Sequence, residues 1–394
     1  GSPVLGGFEQ FTKSKLAESI AKLSWSRPEL FGVSFEAGGE VAYNKLDYAL
    51  DLFELEAGGE RTPIELPLED ATVSELRGEF YVNAGRQLSK ALRVDAALNY
   101  EISRLKVRGD ATADRSLKFW KPSLTLDWRP GNDWHLQLIG RRTVAQLDFY
   151  DFVSVATLSN NTISGGNANL VPQRTWEARF VAEHPLLAGG KLRFEAGHDL
   201  VDQLQDRILV FDDKGNAFDA PGNIGTGKRY FASAQIDAPL DLLWKGLRVS
   251  ARGQVQRTRV KDPSTGKTRN FSDFFPNYEW YVDVRRDAGK FAYGVRLEDR
   301  DTFYTFRTDV IESFPNQKPF GLAFIEYRPN SRSTLLLEVE NFLDGGGYIY
   351  RTFFFPNRTN PVPGLNEERF RNGHARVGIS YKLSFGGSGV AKRN

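Results

Sequence analysis

Three aromatic clusters stand in connecting segments of this 394-residue chain that are rich in Gly, Asn and Asp. The first is Phe149-Tyr150-Asp151-Phe152. The second is Phe271 with Phe274-Phe275. The third covers residues 348–355, with Arg351 inside it and Arg358 beside it. Exposed aromatic faces can stack on a sugar, a porphyrin or an aromatic metal chelator, and a guanidinium can pair with an anionic group. Tyr150, Phe152, Phe274, Phe275, Tyr348, Tyr350 and Arg351 are therefore the candidate ligand contacts. The competing reading of the same residues is packing of one connecting segment on another.

No catalytic arrangement accompanies them. His135, His184, His198 and His374 are scattered without metal-ligand spacing. Asp212-Asp213-Lys214-Gly215-Asn216 resembles a calcium loop only faintly, lacks the later Glu, and reads as a turn at a loop tip. Cys is absent, which removes disulfides, thiolate catalysis and Cys-bound metal. The expectation is a non-enzyme with no cofactor and no metal site.

The elements that hold these clusters alternate apolar and polar residues with a period of two, the mark of strands. In residues 375–385, Val377, Ile379, Tyr381, Leu383 and Phe385 share one face, and Arg376, Ser380, Lys382 and Ser384 the other. Leu92, Val94, Ala96, Leu98, Tyr100 and Ile102 alternate in the same way, as do Tyr278, Trp280, Val282 and Val284. Helical spacing is suggested only in an ambiguous patch over residues 12–22. The chain reads as all-β.

Composition narrows the class. Charged residues make up 26% of the chain, yet the net charge is +2, which argues against nucleic acid as a partner. No apolar run is long enough for a transmembrane helix, but a barrel strand meets lipid only at every second residue. The segments run to about ten residues or more, longer than sandwich strands, and one face stays rich in Arg, Glu, Asp and Gln. Short turns alternate with longer links near 54–73, 104–115, 148–173, 205–227, 258–276, 302–318 and 343–373. Lipid outside, a wet or plugged lumen inside, short periplasmic turns and long extracellular loops account for all of this. The predicted fold is a transmembrane antiparallel β-barrel. Arg248, Arg252, Gln254 and Gln256 are expected to face its lumen, with Glu177, Arg179 and Glu183 opposite.

About fifteen strands are counted, whereas single-chain bacterial barrels are usually even-numbered. Parity then assigns residues 1–14 to an extracellular loop remnant, 15–385 to the C-terminal portion of a barrel, and 386–394 to a C-terminal extension.

Several motifs resemble those of TonB-dependent outer-membrane receptors. Gly166-Asn167-Ala168-Asn169-Leu170-Val171-Pro172-Gln173 is similar to the family's Asn-Leu-Pro-Glu/Gln loop motif. Asn223-Ile224-Gly225, with Gly227 and Tyr230 following, is similar to its Asn-Ile/Val-Gly segment. Glu340-Asn341-Phe342-Leu343-Asp344 resembles its signature on the penultimate strand, and the Phe-ended last strand completes the series. Residues 120–152 and 219–263 look closest to alphaproteobacterial members.

The resemblance implies a barrel of about 22 strands preceded by a plug, neither of which fits in this chain. It implies energised uptake of a scarce large nutrient such as a metal chelate, cofactor or oligosaccharide. The implied partners are outer-membrane lipid and lipopolysaccharide, the missing plug and barrel strands (of the same protein, in one chain or as a separate one), and the TonB complex acting through the plug. The implied location is the bacterial outer membrane. A passive porin-like channel is the alternative.

Overall fold

The computed structural model describes residues 6–56, 58–157, 162–186, 189–212 and 214–385. One sheet dominates, and fifteen long strands make its wall. They are β1 Gly6–Leu30, β2 Val33–Glu56, β3 Asp70–Gln87, β4 Leu92–Gly109 and β5 Ala113–Gly131. Next come β6 Trp134–Val144, β7 Arg174–Leu186, β8 Gly190–Asp202, β9 Gly227–Pro239 and β10 Leu247–Lys261. The wall ends with β11 Tyr278–Ala288, β12 Phe291–Arg300, β13 Phe320–Asn330, β14 Ser333–Glu340 and β15 Arg376–Leu383. Each pairs antiparallel with the strand before and after it. Among the described residues, β1 pairs only with β2 and β15 only with β14, so the wall is an arc with two edges.

At one end every link between wall strands is a turn of at most seven residues, whereas at the other all but the three-residue link 110–112 are longer. Phe31-Gly32 and Asn132-Asp133 join their strands with both residues at positive φ (53° and 74°, then 49° and 59°). That backbone twist matches the right-handed twist of the flanking strands, which a two-residue hairpin requires. Trp128, Trp134, Trp244 and Phe291 gather beside these turns, and Tyr100, Trp120, Trp176, Tyr230 and Tyr278 form an outward row near the other end. Two aromatic rows bounding an apolar band are what a membrane-spanning barrel presents to lipid.

Several sequence expectations are corrected. Residues 6–14 are not loop: they continue β1, in register with β2 from Gly6 opposite Glu56. Residues 12–22 are strand as well. The ladder with β2 pairs every second N–H and C=O of this stretch, and that tertiary pairing outweighs the weak helical spacing. The link expected at 104–115 is mostly strand, leaving only residues 110–112 between β4 and β5. The final strand ends at Leu383 rather than Phe385. The expected C-terminal extension, 386–394, lies outside the described residues.

The first five strands are much taller than the rest: β1 has 25 residues and β2 has 24, against 11 in β6. Above the outer aromatic row the two faces exchange character. On β2, Lys45, Asp47 and Asp51 point outward while Leu46, Tyr48, Leu50 and Leu52 point inward and are buried. Val73, Leu105 and Val107 extend this apolar inner face across β3 and β4. The loop between β6 and β7 folds onto it, placing Leu147, Phe149, Phe152, Val153 and Leu170 in the same core. A 3-10 turn at Phe149–Phe152 sets the first rings, with the Asp148 carboxylate accepting from the Tyr150 N–H at 2.9 Å. This dry core caps one side of the barrel mouth.

Candidate functional site

Below the cap the inner wall is a network of charges carried from strand to strand. Lys121 on β5 reaches Glu79 at 2.6 Å and Glu101 at 2.9 Å, and Arg77 on β3 reaches Glu40 on β2 at 3.2 Å. Arg141 on β6 pairs with Glu177 on β7 at 2.8 Å, and His135 lies between Asp127 and Glu183. Arg179 pairs with Asp199 at 2.5 Å, and Arg229 with the same carboxylate at 3.3 Å. The two guanidiniums flank the Phe231 ring, at 4.7 and 4.5 Å from its centroid. Gly197 makes this sandwich possible, because a β-carbon there would stand 2.5 Å from the Phe231 ring. Glu177, Arg179 and Glu183 thus share the inner face expected of them. On the facing row Gln256 accepts from Arg229 at 2.8 Å and donates to the Pro276 carbonyl at 2.7 Å.

At the outer end of this wall, β10 to β13 and the loops above them border a half-open cavity of about 440 Å³. Arg252, Phe274, Glu279, Tyr281, Arg296, Glu298, Arg300 and Phe320 line it. Glu279 stands opposite Arg300 in the β11–β12 register. Arg300 lies over Phe303 at 4.5 Å and Phe274 at 5.6 Å, and Arg296 over Tyr281 at 4.8 Å. Planar aromatic faces beside guanidiniums suit a flat or anionic ligand. The strands bring Arg296 and Arg300 together with the aromatics. Sequence reading missed the two arginines; their inward alternation on β12 with Glu298 was the available signal.

The other candidates are distributed over the mouth. Phe274 is 58% exposed and belongs to the cavity, while Phe275 packs edge-on against buried Phe271 at 5.3 Å. Phe152 is 0% exposed, so its ring packs the cap. Tyr150 meets Tyr48 edge-on at 6.1 Å and keeps one side open. Tyr348 and Tyr350 stack at 5.5 Å, and Tyr348 also meets Phe370. Arg351 is held by Glu312 at 2.6 Å and Glu367 at 3.5 Å, which occupies the charge that an anionic ligand would use. None of Tyr150, Phe152, Tyr348, Tyr350 or Arg351 lines the cavity.

Four outer loops are fastened by buried charges. Asp262, just past β10, receives the Arg269 Nε at 2.6 Å and also the Arg358 guanidinium from the loop before β15. Arg269 reaches on to Asp206 in the β8–β9 loop at 2.8 Å, and Arg358 donates to the Arg307 carbonyl at 3.0 Å. Arg307 pairs with Asp219 at 3.0 Å, and the Thr308 N–H donates to the same residue at 2.8 Å. Burial alone would push Asp262 upward, but Arg358 and Arg269 outweigh it and hold its carboxyl below the usual range. Burial wins at Asp206, which is pushed up despite Arg269. Burial also lowers the Arg358 guanidinium, against the pull of Asp262.

The sequence profile of the outer membrane protein beta-barrel family matches residues 8–283. No curated protein sequence matches the chain. Among solved structures, the fold is similar to the ferric yersiniabactin uptake receptor FyuA from Yersinia pestis, at a TM-score of 0.66 and 10% identity over 96% of this chain and 56% of that one. The copper transporter OprC gives 0.66 and 10% over 95% and 57%. The siderophore receptor PiuA from Acinetobacter baumannii gives 0.62 and 12% over 95% and 56%. The chain therefore spans a little over half the length of these proteins. Fold, aromatic rows and charged inner wall agree with the family match: the chain belongs to the outer membrane protein beta-barrel family of the bacterial outer membrane, and its wall has the fold of the barrels of these uptake proteins.

Proposed function

We propose that the chain is the C-terminal barrel portion of an outer-membrane receptor that takes up a scarce large solute by TonB-dependent transport. The observation that carries this reading is the arc itself. Its fifteen strands follow receptor barrels over nearly all of the chain, while β1 and β15 do not pair with each other. Unpaired backbone in hydrocarbon costs several kcal/mol per group, so both edges call for further strands. In that reading the charged inner wall holds a plug, and the TonB complex acts on the plug. The cavity around Arg296, Arg300 and Phe274 is where a metal chelate, cofactor or oligosaccharide meets the barrel. The uptake receptors among the structural neighbours support the class of solute.

The test is growth of the native host on a panel of metal chelates, cofactors and oligosaccharides supplied as sole sources. Deleting this gene and deleting the TonB gene should abolish growth on the same compound. Purified protein from the complete gene should show little steady conductance in planar bilayers. A steady open channel, with growth independent of TonB, would instead establish the porin-like alternative.

A further inference from the structure

The half-open cavity at the outer end of β10 to β13 is selective in the chemistry of its lining. Glu298 stands between Tyr281 on β11 and Phe320 on β13, each directly opposite it in register. Two strand spacings put these two aromatic residues about 9–10 Å apart. Arg296 and Arg300 flank Glu298 on the same face of β12, and Phe274 completes the rim with a ring more than half exposed. The three arginines of the lining, with Arg252, are matched by three carboxylates, Glu279, Glu298 and Asp299, so the charges sum to zero. Several are also satisfied within the wall. Arg296 pairs with Glu298 at 2.9 Å, Asp299 accepts from the Asn316 amide at 3.0 Å, and Arg300 donates to the Phe314 carbonyl at 2.9 Å. What the cavity offers a ligand is flat apolar rings and planar hydrogen-bonding forks, with no net field.

A sugar ring has an apolar face of C–H groups and an edge of hydroxyls that both donate and accept. An aromatic ring takes the face, and a planar carboxylate, guanidinium or amide takes neighbouring hydroxyls together. An uncharged ligand meets no repulsion in this cavity. A chelate with several negative charges would have to enter beside Glu279, Glu298 and Asp299, and like charges set together oppose binding. The apolar surface also continues inward. Leu322 and Phe324 follow Phe320 on the same face of β13. The Phe324 ring lies over Gly294, where a β-carbon would stand 2.7 Å from it, and Arg285 lies over the ring at 5.3 Å. Rings at successive levels suit a chain of sugars rather than a single one. We infer that the cavity binds an uncharged oligosaccharide, with Phe274 and Phe320 stacking on its rings and Glu279, Glu298 and Arg300 taking its hydroxyls. This site rests on the uptake reading and narrows its solute class, setting polyanionic metal chelates aside.

The experiment is calorimetric titration of the detergent-purified protein from the complete gene. The probes are maltopentaose, cellopentaose, xylopentaose and mannopentaose, with a ferric tris-catecholate as the polyanionic comparison. At least one glycan should bind, with the same affinity from about 50 to about 500 mM salt, because there is no net charge to screen. Phe274→Ala should weaken it about tenfold through the lost stacking face. Arg300→Lys keeps the charge but loses the fork, and should weaken it several-fold. Phe211→Ala, which removes an exposed ring outside the cavity, should bind as the wild type does. Phe274 is itself 58% exposed, so its removal spares the fold and keeps the test decisive if Arg300→Lys misfolds. Binding of the tris-catecholate alone, weakening with salt, would overturn the sugar assignment and leave the uptake reading standing, as would binding by none of the four glycans. A glycan affinity untouched by both Phe274→Ala and Arg300→Lys would overturn the site. A steady open channel with growth independent of TonB would overturn the uptake reading, and the site's part in uptake with it.

Discussion

Asp262 is the residue on which the outer loops converge. Its side chain is 2% exposed and receives Arg269, Arg358 and the backbone N–H groups of Ser264 and Thr265. Removing one member of a buried charge pair leaves the other uncompensated, at a cost of about 3–5 kcal/mol. Asp262→Ala should therefore loosen the loops at 262–277 and 355–362 together, with faster amide exchange and protease cutting there while the wall stays protected. Loosening confined to 262–277 would mean that Arg358 is held by its other contacts. The pH dependence follows from the depressed carboxyl. A lowered folded value gives stability that is complete above the ordinary carboxylate range and is lost as pH falls through the lower value. Loop protection should thus hold from pH 7 down to about 5 and fail only below about 4. Proteolysis across that range, with Asp262→Asn lacking the low-pH step, is the check.

At the scale of elements, the sequence was most legible where lipid imposes alternation. Val94 to Ile102, or Tyr278 to Val284, cannot be arranged otherwise with one face to hydrocarbon and one to charge. It was least legible above the membrane, where the outer solvent replaces lipid and the rule reverses. Leu46 and Leu50 point in and Lys45 and Asp47 out, so the tall strands of β1 to β5 read as strand plus loop. Phe152 was a ligand candidate for the same reason: nothing in Phe149-Tyr150-Asp151-Phe152 announces that β2 to β4 offer it an apolar wall. Which carboxylate Arg358 meets was not legible either, because its partner Asp262 lies far off in the chain. The cap makes a definite prediction. Phe152→Ala removes a fully buried ring among Leu46, Leu105, Val153 and Leu170 and should cost the cap about 3–5 kcal/mol. Exchange should quicken over residues 145–156, with little change in β9 to β13. Unchanged exchange there would show that the loop is held by its polar contacts, such as Arg115 on the Ala168 carbonyl at 2.5 Å.

For the whole molecule, the decisive property is how the arc ends. Every strand from β2 to β14 has two neighbours, and the two outermost have one. On β1 the apolar residues Leu16, Ile20 and Leu23 are exposed, and on β15 Val377, Ile379 and Tyr381 are. An edge strand facing water can be protected by charge, but one facing hydrocarbon has no solvent for its alternate N–H and C=O groups. The lipid-level parts of both strands must therefore be paired in the membrane. Hydrogen exchange on the protein from the complete gene, in native outer-membrane vesicles, measures this directly. Alternate amides in residues 17–25 and 376–383 that donate nothing to β2 or β14 should be as slow as those in β7 and β8. Each is then bonded to a neighbouring strand that the arc requires. Fast exchange confined to those alternate amides would mean that the edges meet water, and the barrel reading would give way to an open sheet lining an aqueous cleft. A slow edge on β1 with a fast one on β15 would place the opening of the barrel at its last strand.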